Sequence, residues 1–92
     1  REHLTTSEKD EVIQVFKTYL PKFIDDLMAL YDLSLQELLV CLLLKLNIKP
    51  SSISYLLGTT ISSISKIRSR LYKKIFNKDG GAEKWDEFIR SL

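Results

Sequence analysis

The chain has 92 residues and a formal net charge of +2, with 45% hydrophobic and 28% charged residues. These values are typical of one ordinary globular domain and exclude wholesale disorder. A single cysteine excludes an internal disulfide, and the apolar run Leu38 to Leu44 is too short to span a bilayer. Apolar residues recur at helical spacing, which predicts an all-α fold, a small helical bundle.

The first part of the chain predicts a helix that is interrupted by a proline. A Ser/Thr pair followed by an acidic first turn predicts a helix start near Thr6. Pro21 lacks a backbone donor and is expected to kink or split this helix. His3, near the terminus, is expected to have no function. The apolar residues expected to be buried are Val12, Ile13, Phe16, Tyr19 and Leu20 before the proline, and Phe23, Ile24, Leu27, Met28, Leu30 and Tyr31 after it.

The next helix is predicted to lie at the centre of the core. Ser34 and Glu37 are spaced as a capping box, which predicts a helix from about Leu35 to Leu46. The segment Leu38 to Leu44 is apolar almost all round the helix, a pattern typical of a fully surrounded position. Cys41 lies within it and is interpreted as a small buried side chain.

A helix-turn-helix pattern follows. Pro50 predicts the start of a short helix that ends near Leu57, and Gly58 predicts a left-handed turn. Thr60 is expected to cap a longer helix, from about Ile61 to Phe76. A small residue, Ser54, stands where the two helices would approach closely. After a break at 79–81, a short C-terminal helix is predicted from Ala82 to Leu92, docked through Trp85, Phe88 and Ile89.

Positive charge is concentrated in the second half of the chain. Residues 38–78 contain no Asp or Glu but eight Lys and Arg, and six of these lie between Lys66 and Lys78. An exposed helix normally interleaves acids with bases. The acid-free pattern therefore predicts a surface for a polyanion, with duplex nucleic acid as the first hypothesis.

The residues at 34–37, 53–58 and 73–75, with Ile64 and Leu71, resemble the LuxR-type (GerE-type) DNA-binding domain. The resemblance implies that residues 33–76 are the helix-turn-helix DNA-binding domain of a bacterial transcriptional regulator. Residues 1–32 would then be a helical extension for packing, dimerisation or linkage to an upstream part. Residues 77–92 would be a C-terminal helical tail.

The resemblance also implies which side chains contact double-stranded DNA in the major groove. Lys66 is suited to guanine, and serines can meet base edges or phosphates. The base-contacting positions are Ser62, Ser65, Lys66 and Ser69. The phosphate-binding positions are Lys49, Thr60, Ser63, Arg70, Lys73 and Lys74.

Other expectations concern partners and location. The resemblance implies an upstream sensor or tetratricopeptide-repeat domain. A homodimer is expected because serines alone discriminate modestly between bases, and RNA polymerase is the partner under the sigma-factor alternative given below. The resemblance also implies a cytoplasmic location, either free or as the cytoplasmic tail of a membrane-anchored regulator. The chain begins at Arg1, so we interpret it as part of a longer protein. We expect no cofactor, metal or enzyme activity, because one His and one Cys lack the spacing of a metal site and no nucleophile has an adjacent base.

Two alternatives stay open. The helix-turn-helix scaffold could serve as a protein-interaction or dimerisation module, using its acidic N-terminal helix and aromatic tail. Alternatively, the segment 68–71, Arg-Ser-Arg-Leu, is faintly similar to a sigma-factor region 4-like promoter-binding domain.

Overall fold

A computed structural model describes residues 3–92, and within this range the chain forms six α-helices and no strand. The all-α prediction is therefore confirmed. The helices are α1 (Thr6–Tyr19), α2 (Pro21–Leu30), α3 (Leu35–Lys45), α4 (Pro50–Leu56), α5 (Ile61–Phe76) and α6 (Gly81–Ser91).

Local capping chemistry determines where the first helices begin. The Thr5 hydroxyl accepts from the Glu8 N–H, and the Glu8 carboxylate accepts from the Thr5 N–H, which closes a capping box at the start of α1. Ser34 and Glu37 form the same reciprocal pair at α3, as predicted. Pro21 splits the first helix, because α1 ends at Tyr19 and α2 starts at the proline itself.

Helix α3 is the centre of the core. All seven residues from Leu38 to Leu44 are buried, which confirms the prediction from its apolar circumference. Phe16 of α1, Ile53 of α4 and Trp85 of α6 belong to the same buried cluster. The cluster thus includes residues from each of the three predicted parts of the chain. Burying these side chains supplies the main stabilising free energy of the fold.

Four residues that we expected to be buried in α1 and α2 are exposed. Tyr19 is 77% exposed and Leu20 42%, because the helix ends there and Leu20 adopts a non-helical backbone conformation. Met28 is 55% exposed and Leu30 40%. Helix α2 packs chiefly against α1, so one side of it has no neighbouring helix to cover it. The prediction is wrong for these four residues and correct for Phe16, Phe23, Ile24 and Leu27.

Cys41 is a core residue and not a reactive thiol. Burial raises the pKa of the Cys41 thiol to about 12, and the neighbouring Trp85 side chain opposes this only in part. A protonated, inaccessible thiol is a poor nucleophile. This confirms the interpretation of Cys41 as a small buried side chain.

Helix α6 returns against α5 and lies along its inner side. Asn77 ends α5 in the left-handed conformation, with φ of 55°. The backbone then approaches α5 so closely at Gly80 that a Cβ there would lie 2.3 Å from the Tyr72 ring. Phe88 packs edge-on against Phe76, with ring centroids 4.9 Å apart. Within residues 3–92, no helix has both the length and the apolar character needed to cross a membrane.

Candidate nucleic-acid interface

Helices α4 and α5 follow one another across a short turn at 57–60, at the positions that the sequence predicted. Gly58 has φ of +66°, a conformation that favours glycine, and it reverses the chain after α4. The Thr60 hydroxyl accepts from the Ser63 N–H at 3.0 Å and caps α5. Ser54 is 6% exposed, and its hydroxyl donates to the Ser51 carbonyl oxygen at 2.7 Å. A small, internally satisfied side chain therefore occupies the position predicted for the close helix contact.

The outward side of α5 carries half of the predicted DNA contacts. Successive residues of a helix are rotated by about 100°, so positions separated by 4, 7, 8 and 11 residues share a side. We call Ser62, Lys66, Ser69, Arg70 and Lys73 the basic face. All are exposed except Ser69, which is half-buried. Ile64 and Leu71, on the opposite side of the helix, are fully buried.

The other predicted contacts lie outside the basic face. Ser65 and Ser63 are half-buried on its two flanks, and the Ser63 N–H is already bonded to Thr60. Lys49 is exposed at the N-cap of α4. The Lys74 ammonium lies 5.4 Å from the centre of the Tyr31 ring, a cation–π contact that places it at the edge of the basic face.

The structure corrects the charge pattern inferred from the sequence at one residue, Arg68, which is not part of the cationic surface. Its side chain is 6% exposed, and its guanidinium makes a bidentate ion pair with the carboxylate of Asp86, which is equally buried on α6. One of the six cations between Lys66 and Lys78 is therefore not at the surface. The helical spacing could have predicted that Arg68 faces inward. Position 68 is rotated by about 200° from Lys66, so the two side chains lie on opposite sides of α5.

The remaining charges on the basic face are available to an anion. Within residues 3–92, no carboxylate forms an ion pair with Lys66 or Arg70. The Lys73 ammonium contacts the Asp79 carboxylate at 3.0 Å, but both side chains are mostly exposed. Such surface pairs contribute about 0–1 kcal/mol, so a phosphate can replace Asp79 at little cost.

The sequence did not predict that the N-terminal segment would contact the turn. The Leu4 N–H donates to the Leu56 carbonyl oxygen at 2.8 Å, and the His3 ring lies against Gly58. Two large apolar side chains nearby, Tyr55 and Ile61, are 62% and 56% exposed. Nothing in the local sequence indicates these contacts, because they join segments far apart in the chain.

Residues 3–92 contain no group of three or more His, Cys, Asp or Glu arranged to hold a metal ion. Comparison of the chain with protein-family models, with curated proteins and with solved structures gave no match. The case for a function therefore depends on the geometry and charge of the basic face.

Proposed function

We propose that this chain is the DNA-binding domain of a bacterial transcriptional regulator, with α5 as its recognition helix. The observation that carries the proposal is the basic face. It presents Lys66, Arg70 and Lys73 at the surface of a 16-residue helix that is capped directly after a helix-turn-helix turn. The major groove is about 12 Å wide and admits one α-helix of this kind.

Base contacts are assigned to the middle of the basic face. Lys66 lies at its centre and can donate to guanine O6 or N7 in the major groove. Ser62, Ser65 and Ser69 surround it, and a hydroxyl can donate or accept toward any base edge. Serines discriminate weakly between bases, so a single copy of the domain is expected to select its site modestly.

Phosphate contacts are assigned to the ends and flanks of α5. Lys49, Arg70, Lys73 and Lys74 supply cations, and Thr60 and Ser63 supply hydroxyls. The unpaired N–H groups of the first turn of α5 add the positive end of the helix dipole. Four to six phosphate contacts release counterions and give a log–log salt slope of about −4 to −5.

Alanine substitutions on the basic face test the proposal. Lys66→Ala should weaken binding to the best duplex by about 1–3 kcal/mol and relax one base position. Arg70→Ala should weaken all duplexes about equally and reduce the salt slope by about 0.9. Fluorescence anisotropy across a salt titration measures both quantities. Lys17→Ala, an exposed cation of α1, is the matched control and should leave both unchanged.

If Lys66→Ala and Arg70→Ala leave the affinity and the salt slope at wild-type values, the proposed interface is wrong. If Lys17→Ala lowered the DNA affinity as much as Lys66→Ala and Arg70→Ala do, the effect would be one of nonspecific charge. That result would also contradict an interface on α5.

A second candidate function, self-association through the N-terminal helix, is favoured by the outer side of α1. Val15 is 52% exposed and Leu46 51%, and they line a groove of about 340 Å³ together with Leu4, Val12, Phe16 and the acidic Glu8 and Glu11. A second copy is the natural occupant, because paired helix-turn-helix domains bind two half-sites. Sedimentation equilibrium would show a dimer that Val15→Glu dissociates, and a strict monomer at all concentrations would remove this candidate. Of the aromatic tail, Trp85 is fully buried and is not available for such a contact, whereas Phe88 is half-buried.

A further inference from the structure

A polar pocket lies between the N-terminal segment and the helix-turn-helix turn. It has a volume of about 310 Å³ and is lined by His3, Ser54, Tyr55, Gly58 and Thr59. Thr59 immediately precedes the Thr60 cap, so the pocket adjoins the N-terminal end of α5. It therefore lies next to the helix that carries the basic face.

The imidazole is held in this pocket by two backbone features. The Leu4 N–H donates to the Leu56 carbonyl oxygen at 2.8 Å, which fixes the segment next to His3 onto the end of α4. The absence of a side chain at Gly58 makes room for the ring, because a Cβ there would lie 3.2 Å from the His3 Cγ atom. The ring itself remains exposed to solvent.

The chemistry of the lining suits an anion. His3 supplies an imidazole, Tyr55 a phenol and Thr59 a hydroxyl, whereas no carboxylate is among the residues of 3–92 that line the pocket. Tyr55 is the other titratable side chain among these described residues. The Ser54 hydroxyl already donates to Ser51 and takes no part.

We propose that this pocket binds a phosphate of the DNA backbone, with the imidazolium of His3 as its cationic ligand and Tyr55 and Thr59 as hydroxyl donors. The inference rests on the proposed function and adds a regulatory property, a DNA affinity that depends on pH. Only the protonated imidazole adds a positive charge to its hydrogen-bond donors, so it binds phosphate more strongly than the neutral ring does. Affinity is therefore highest at low pH and falls as the pH rises through the range in which histidine loses its proton, about pH 5 to 8.

Because of the composition of the chain, a pH dependence of the DNA affinity can be assigned to one residue. The chain contains one histidine. Its one cysteine is buried and stays protonated, because burial raises the pKa of the Cys41 thiol to about 12. A change of affinity in the histidine range that a substitution at position 3 removes therefore belongs to His3.

The test compares the wild type with His3→Gln on one duplex at about pH 6 and pH 8, two values within the range over which histidine changes charge. Wild-type affinity should be about two- to fivefold higher at the lower pH, the usual size of one exposed ion pair. Its salt slope should be steeper by about 0.9 at that pH. His3→Gln should show neither change, and Tyr55→Phe should weaken binding at both pH values. In the wild type, the imidazole C–H resonances of His3 should shift when DNA is added.

A wild-type affinity that does not change with pH would overturn the inference, as would an unchanged pH dependence in His3→Gln or imidazole resonances that DNA leaves in place. If Lys66→Ala still weakened binding in those cases, the proposed function would stand without this phosphate site. Failure of the wild type to bind any duplex at low salt would overturn both proposals.

Discussion

Asp86→Ala is expected to lower the free energy of unfolding by about 3–5 kcal/mol. The substitution would leave the Arg68 guanidinium buried at 6% exposure without its bidentate partner. An unpaired charge in that position loses its hydration without gaining an ion pair or a hydrogen bond, which costs free energy. Urea denaturation followed by the fluorescence of Trp85, which is buried on the same helix, measures the loss directly.

Two controls separate the effect of leaving a buried charge unpaired from the effect of removing a carboxylate. Asp79→Ala removes the exposed carboxylate that contacts Lys73 and should change stability by no more than about 0.5 kcal/mol. Replacing both buried partners, as Arg68→Met with Asp86→Leu, should restore most of the stability that Asp86→Ala loses. A loss below about 1 kcal/mol for Asp86→Ala would contradict the buried ion pair as the attachment of α6 to α5.

Ile64→Asp is expected to unfold the domain. Ile64 is fully buried on the inner side of α5. The substitution removes apolar packing and introduces a carboxylate without a partner, at a combined cost of at least about 4 kcal/mol. A domain of this size has a total stability of roughly 5–15 kcal/mol, so little margin would remain. Far-ultraviolet circular dichroism should show the loss of helix together with the loss of DNA binding.

The matched control is Ser62→Asp, two residues earlier on the same helix. Ser62 is exposed on the basic face, so the same new carboxylate should leave the helical content intact while it repels phosphate. A folded Ile64→Asp variant that still binds DNA would contradict the assignment of the inner and outer sides of α5. Strong binding by Ser62→Asp would contradict the assignment of the basic face.

Features that depend on a few neighbouring residues could be predicted from the sequence. The capping box at Ser34, the split at Pro21 and the left-handed turn at Gly58 are each fixed by local backbone chemistry. The central position of α3 followed from its apolar circumference, since seven consecutive apolar residues can be buried only by neighbours on all sides.

Features that depend on tertiary contacts could not be predicted in this way. Asp86 reaches Arg68 across 18 positions, and no local pattern specifies that partner. The contact of Leu4 with Leu56, which forms the His3 pocket, likewise joins distant segments. The exposure of Met28 follows from how few neighbours α2 has, a property of the assembled fold. The basic face was partly predictable, because it combines helical spacing with an acid-free sequence.

Helix α6 supports α5 from its inner side. Its buried Asp86 binds Arg68 on the inner side of α5, while Lys66 and Arg70 on the outer side are exposed. A recognition helix must be held rigidly for its side chains to meet base edges in register. The C-terminal helix is therefore part of the support for the proposed interface.

The proposed function is tested by selecting binding sites from a random duplex library, and then titrating the selected duplex and a scrambled one against salt. We expect an enriched motif with at least a ~10³-fold preference over the scrambled duplex. A palindromic motif would add that two copies bind together. Absence of binding to any duplex at low salt would contradict the proposed DNA-binding function.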